Sequence, residues 1–181
     1  MIKMRPLSKA ILILAAAAEV SVSTAAMPSA ASLRSIRSKV NRKEYEDAER
    51  SLREELPSMR GRDRDRGRIL LAGLRTDIGG AERILDEVIS SGDSRESLRA
   101  RVELAKIRYS TGEYHTAIRL LEGIRAEGRG GIKYEAVYFR GLARKQLGDL
   151  EGARSDFADI DRGDYLHWSY IAMGEIDIRS G

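Results

Sequence analysis

Ala48, Ala81, Ala117 and Ala153 recur at intervals of 33, 36 and 36 residues, and each opens an apolar stripe of helical period. After Ala81 the stripe is Ile84, Leu85 and Val88; after Ala117 it is Leu120, Leu121 and Ile124. Both fill i+3, i+4 and i+7, the spacing that gathers side chains on one face of a helix. Ala153 keeps Phe157 and Ile160 with Asp156 off the pattern, and Ala48 keeps Leu52, with Leu56 a turn later. A single short helix cannot bury its own stripe, so a unit that returns at this period needs its neighbours. The chain is therefore expected to be an array of stacked helices, an architecture that serves binding more often than catalysis.

In the two clearest units a glycine stands five residues before the alanine, in Gly112-Glu113-Tyr114 and Gly148-Asp149-Leu150. Seven residues before that glycine comes a small side chain, Ala105 or Gly141, inside the preceding helix. Glycine closes one helix and turns the chain into the next, and the small residue lets two helices approach closely. Leu104 through Ile124, and Tyr138 through Phe157, resemble tetratricopeptide repeats. The resemblance extends to Asn41-Arg42-Lys43-Glu44-Tyr45 ahead of Ala48, to Ile69 through Val88 with Thr76 in place of the turn glycine, and to Tyr170, Met173, Gly174 and Gly181, which repeat the spacing of Val137, Arg140, Gly141 and Gly148. Arg101 and Val137 stand where the family favours a large aromatic, and Arg140 where it favours leucine.

The resemblance implies an all-α fold, with antiparallel helix pairs stacked as a right-handed tetratricopeptide-like solenoid over residues 41–181, about four units with the last incomplete. In that family the first helix of each pair lines the inner side of a curved surface. Carried over by spacing, the groove positions are Arg99, Val102, Lys106 and Tyr109 in one unit and Glu135, Tyr138, Leu142 and Lys145 in the next. The implied partner is a protein: an extended peptide or a helix, held by aromatic anchors and cationic contacts.

The N-terminus carries a different signal. Lys3, Arg5 and Lys9 precede an apolar run from Ala10 to Ala18, and Thr24-Ala25-Ala26 offers a small-residue cleavage site. That order is expected of a secretory signal peptide over 1–26, with 27–40 as a linker that becomes helical through Leu33, Ile36 and Val40. The apolar run stops at Glu19 and is too short to span a bilayer, so no stable membrane span is expected after processing. A periplasmic or secreted location follows, and the Ser- and Arg-rich, acid-poor start leaves import into an organelle as the alternative. Residues 1–26 hold three basic side chains against Glu19, so the remainder carries only +2 of the overall +4. Nucleic acid is not an expected partner on that balance. The Arg60 to Arg68 run alternates sign without interleaved aromatics and is expected to be a solvated loop entering a helix.

Catalytic chemistry finds little support. Cysteine is absent, and the two histidines, His115 and His167, have no partner at metal-ligand spacing. No strand precedes Gly128-Arg129-Gly130-Gly131 and no lysine-serine pair follows, so it is a helix break and not a phosphate loop. No catalytic residue, metal or cofactor is expected. The leading expectation is a non-enzymatic scaffold or adaptor in bacterial envelope assembly or secretion. Its alternative is a regulatory or substrate-binding subunit of an envelope enzyme. A final helix over about 165–179 carries apolar residues too widely spread for one buried stripe, so a homodimer through Trp168 and Ile171, or a docked partner, is expected to cover it, a truncated reading frame being the alternative.

Overall fold

The computed structural model describes residues 30–91, 94–124 and 130–180. The expected leader at 1–26, residues 92 and 93, and residues 128 and 129 of the glycine-rich break lie outside them. Among the described residues the chain forms nine α-helices and no strand. In chain order these are α1 (Ala30–Asn41), α2 (Tyr45–Glu55), α3 (Gly61–Leu74), α4 (Ile78–Ser91), α5 (Ser94–Ser110), α6 (Tyr114–Leu121), α7 (Gly131–Gln146), α8 (Leu150–Ala158) and α9 (Leu166–Ser180), with a short 3-10 turn at Leu56–Ser58.

Each helix packs on the next, and the odd-numbered helices also touch one another: α1 on α3, α3 on α5, α5 on α7 and α7 on α9. Every even helix thus sits over the seam between two odd ones. The four recurring alanines lie one to each even helix and are all buried, between 0% and 4% exposed. Around them the core divides into successive clusters. Leu33, Ile36, Leu52 and Leu71 join α1, α2 and α3. Ile69, Leu85, Val88 and Leu104 join α3, α4 and α5. Val102, Leu121, Ile124 and Ile132 continue the series into α7, and Phe157 with Ala172 and Ile176 closes it on α9. At Gly141 of α7 the neighbouring helix comes close: a Cβ there would lie 2.7 Å from Phe157 Cε1, so the small residue serves the contact the spacing predicts.

Three of the turns share one hydrogen-bond pattern. The Glu44, Glu113 and Asp149 N–H groups donate to the carbonyls of Lys39, Arg108 and Arg144 at 3.0, 2.8 and 3.0 Å. One residue earlier, the N–H groups of Lys43, Gly112 and Gly148 donate to Val40, Tyr109 and Lys145 at 2.9, 3.1 and 3.2 Å. This is the Schellman closure, which requires a left-handed residue at its centre. Gly112 (φ 82°) and Gly148 (φ 81°) meet that requirement freely, while Lys43 (φ 65°) meets it with a side chain. The turn at Thr76 is built otherwise. There Asp77 pairs with Arg75 and accepts the Gly80 N–H at 2.5 Å, and these two contacts, Arg75 first, hold its carboxyl below the usual range.

Some boundaries differ from expectation. The 27–40 segment, expected as a linker that becomes helical, holds most of α1, whose Leu33 (7% exposed) and Ile36 (1%) belong to the first core cluster. The packed array therefore starts ahead of residue 41. The Arg60 to Arg68 run is helical from Gly61 onward, and Gly67 on its buried face lies against Met59 and Leu56 of the preceding turn. The three departures from the repeat pattern each have a local explanation. Arg101 donates to the carbonyls of Leu120 (3.1 Å) and Glu122 (2.7 Å), covering the open end of α6. Val137 packs with Tyr134 and Ile160. Arg140 forms two hydrogen bonds with Asp156, the residue that breaks the stripe of the fourth unit, at 3.0 and 2.5 Å.

Candidate functional site: the face of the odd-numbered helices

Because the odd helices form a continuous layer, the side chains they do not share with the even helices lie together on one face. Its two halves differ in chemistry.

The half built by α5, α7 and the approach to α9 is aromatic and internally paired. Tyr109 meets Tyr114 and Phe139 (5.5 and 6.2 Å between ring centroids), and Tyr138 meets Phe139, Phe157 and Tyr165 at 5.7, 5.7 and 5.1 Å. Lys106 lies 5.6 Å from the centre of the Phe139 ring and bridges Glu103 (2.9 Å) and Glu135 (3.1 Å). Burial works to lower the Lys106 pKa, but the two carboxylates outweigh it and hold the ammonium form above its ordinary range. The Tyr165 phenol is pushed up by burial and then by Glu135, which accepts its hydroxyl. Tyr138 is raised mainly by burial, with Tyr109 and Glu175 adding to it. Lys145 is tied to Glu175 of α9 at 2.5 Å. Thus Lys106, Tyr109, Glu135 and Tyr138, expected on a groove, gather around Phe139, with Lys106 bonded to Glu135, whereas Lys145 is held by Glu175 of α9.

Of the expected groove residues, Val102 belongs to the core and Leu142 is half-buried at its edge. Val102 is 1% exposed between α5, α6 and α7, and Leu142 packs with the cluster around Phe157. Spacing alone put them on the face, but α5 and α7 are flanked by helices on more than one side and bury a wider sector than a two-helix contact would.

The other half, built by α1, α3 and α5, is cationic and open. Arg99 lines two adjoining cavities here, together with Arg37 of α1 and Arg66 of α3. The first, of about 220 Å³, has an apolar floor of Val40, Ile69, Leu70 and Leu74, with Gly73 at its edge. The second, of about 290 Å³, is walled by Arg34, Arg95, Asp63 and Glu96. Glu96 is the buried member: its side chain is 2% exposed, Oε1 accepts from Arg66 Nε at 2.9 Å, and Oε2 has no hydrogen-bond partner. Asp63 lies 3.5 Å from Arg66.

Sequence reasoning reached Arg99 and missed the rest. Arg34 and Arg37 fell in the stretch expected as a linker, and Arg66 in the run expected as a solvated entry. The i,i+4 pair Arg95 and Arg99, which shares one helix face, was the available signal.

On α9, Trp168 is 54% exposed and Ile171 43%, alongside Tyr170 and Ile178. His167 packs edge-on against Trp168, and His115 is exposed on α6. Among the described residues no group of three or more His, Asp or Glu side chains is placed to hold a metal ion, and no helix is long and apolar enough to cross a membrane.

These features define an all-helical protein of consecutively packed helices with a continuous face on its odd members. No family model, curated protein or solved structure matches the chain.

Proposed function

We propose that the chain is an exported, non-catalytic interaction scaffold of tetratricopeptide-like helix pairs, which takes a peptide or a partner helix along the face of α1, α3, α5, α7 and α9. The reading places it in the assembly or secretion apparatus of a bacterial envelope. One observation carries the binding role: the odd helices touch in unbroken succession, so every unit contributes side chains to a single face while the even helices cover the other side. That is the arrangement by which helical repeats present an extended surface to a partner. The leader-like order of residues 1–26 supports export.

Photo-crosslinking in the native host tests the reading. A photoreactive residue at Gly73, Glu103 or Tyr109, on the odd-helix face, is expected to capture an envelope protein. The same residue at Arg50, Arg83 or Arg119, exposed on α2, α4 and α6, is expected to capture none. Capture from the even-helix positions alone, or from neither set, overturns the proposal.

A further inference from the structure

We propose that the cleft between α1, α3 and α5 recognises an acidic segment of a protein partner: a carboxylate settles on Arg37 and Arg99, and the apolar side chain beside it fills the cavity floored by Ile69 and Leu70. The inference rests on the scaffold reading above and names the chemistry of its partner.

Charge is the first argument. Five guanidiniums (Arg34, Arg37, Arg66, Arg95, Arg99) and three carboxylates (Asp63, Glu96, Glu103) line the two cavities, an excess of two positive charges. Among the described residues Arg66 is engaged by Glu96 and Asp63, whereas Arg37 and Arg99 have no carboxylate or hydrogen-bond partner. Arg99 is half-buried, so its guanidinium meets a ligand in a partly desolvated setting where ion pairing is strongest. The arginine fork also matches a carboxylate in two-point contact.

Burial supplies the second argument. Glu96 Oε2 is enclosed in the wall of the cationic cavity without a donor. A buried acceptor left open is costly; Oε2 is sealed from the cavity as it stands, and a ligand N–H relieves it once the Glu96 side chain turns toward the opening. A bare phosphate brings further negative charge to that oxygen, and an acyl chain brings no donor. A peptide brings both an anion and an amide N–H a few ångströms away.

Size is the third. Cavities of about 220 and 290 Å³ lie at the lower limit of the ~300–1,000 Å³ typical of clefts that enclose a whole small molecule. Each suits one side chain, and their shared arginine rim suits two neighbouring residues of an extended strand.

The test is fluorescence anisotropy with a labelled, C-terminally amidated peptide carrying a leucine next to a glutamate. Comparison peptides replace the glutamate by glutamine, replace the leucine by alanine, or keep a carboxylate only at a free C-terminus. The wild type is expected to bind the leucine–glutamate peptide about tenfold more tightly than the glutamine peptide, a gap of about 1.4 kcal/mol. The Arg37→Gln, Arg99→Gln double variant is expected to erase that gap. Gly73→Leu is expected to weaken the leucine-containing peptide and leave the helical spectrum and melting temperature intact, because a Cβ at Gly73 meets nothing within 4 Å and leucine is the better helix former. Tight binding of the free-C-terminus peptide would assign the carboxylate to a chain end; weak binding would assign it to an acidic side chain. Absence of binding at millimolar peptide, binding indifferent to the double variant, or tighter binding of inorganic phosphate or laurate than of the peptide overturns the inference. If crosslinking from the odd face persists in that case, only the acidic specificity falls; if crosslinking is also absent, the scaffold reading falls with it.

Discussion

Asp156 is 1% exposed and receives hydrogen bonds from two arginines, Arg140 at 3.0 and 2.5 Å and Arg144 at 3.0 Å. The pairing raises the Arg140 pKa further, the hydrogen bond to Asp156 outweighing the opposing effect of burial. Two guanidiniums on one carboxylate leave no acceptor idle, so the charge is compensated where it is buried. Removing the carboxylate alone is another matter. Asp156→Ala leaves the buried Arg140 guanidinium without its hydrogen-bonded partner and is expected to cost about 3–5 kcal/mol in urea unfolding. Arg140→Leu together with Asp156→Leu is expected to fall within about 1–2 kcal/mol of the wild type, because a buried pair roughly balances against hydrophobic replacements of similar size. A mild single variant would show that the pair carries little of the α7–α8 contact.

At the scale of the element, the turns decide where each helix stops. Lys43 occupies the left-handed position that Gly112 and Gly148 occupy in later units. A side chain there meets the following carbonyl, a strain of roughly 1–2 kcal/mol per residue for the left-handed conformation. Lys43→Gly relieves it and adds back some entropy to the unfolded chain, and the net expectation is a gain of about 0.5–1 kcal/mol. A thermal melt reads the change directly. Unchanged or lowered stability would mean that Lys43 is held by contacts worth more than the strain. The α3–α4 connection has no left-handed residue at Thr76, so Thr76→Gly is not expected to stabilise it.

Across the described residues, the principal contacts run between helices that are adjacent or next-but-one in the chain. The middle helix α5 is packed by α3, α4, α6 and α7, whereas α9 is packed by α7 and α8 and α1 by α2 and α3. In such an arrangement stability is close to a sum of local and nearest-neighbour parts, so it is lowest at the ends. Native-state hydrogen exchange is expected to show amides of α1 and α9 opening about tenfold or more faster than those of α5. Uniform protection from α1 to α9 would instead indicate a single cooperative unit. One open end and the cationic cleft coincide: α1 lines the cleft and is itself among the less protected helices, so a ligand bound to Arg37 would order it.

The sequence by itself determined the units. Four alanines with their helical stripes, two glycine turns and a small residue at Gly141 are local or near-local requirements, each readable from residues a few positions apart, and all four alanines are buried as the period demands. Its departures were legible only as departures. That Arg140 and Asp156 answer one another depends on α7 and α8 lying side by side, and no rule of spacing brings position 140 to position 156. The cleft is more distant still. Arg37, Arg66 and Arg99 lie on three different helices, about thirty residues apart, and only the next-but-one packing of α1, α3 and α5 brings their guanidiniums to one rim. Periodicity reports which face of a helix is apolar. Which charged side chains from separate helices share a cavity depends on interhelical distance and angle, and those are set by the packing of the whole layer.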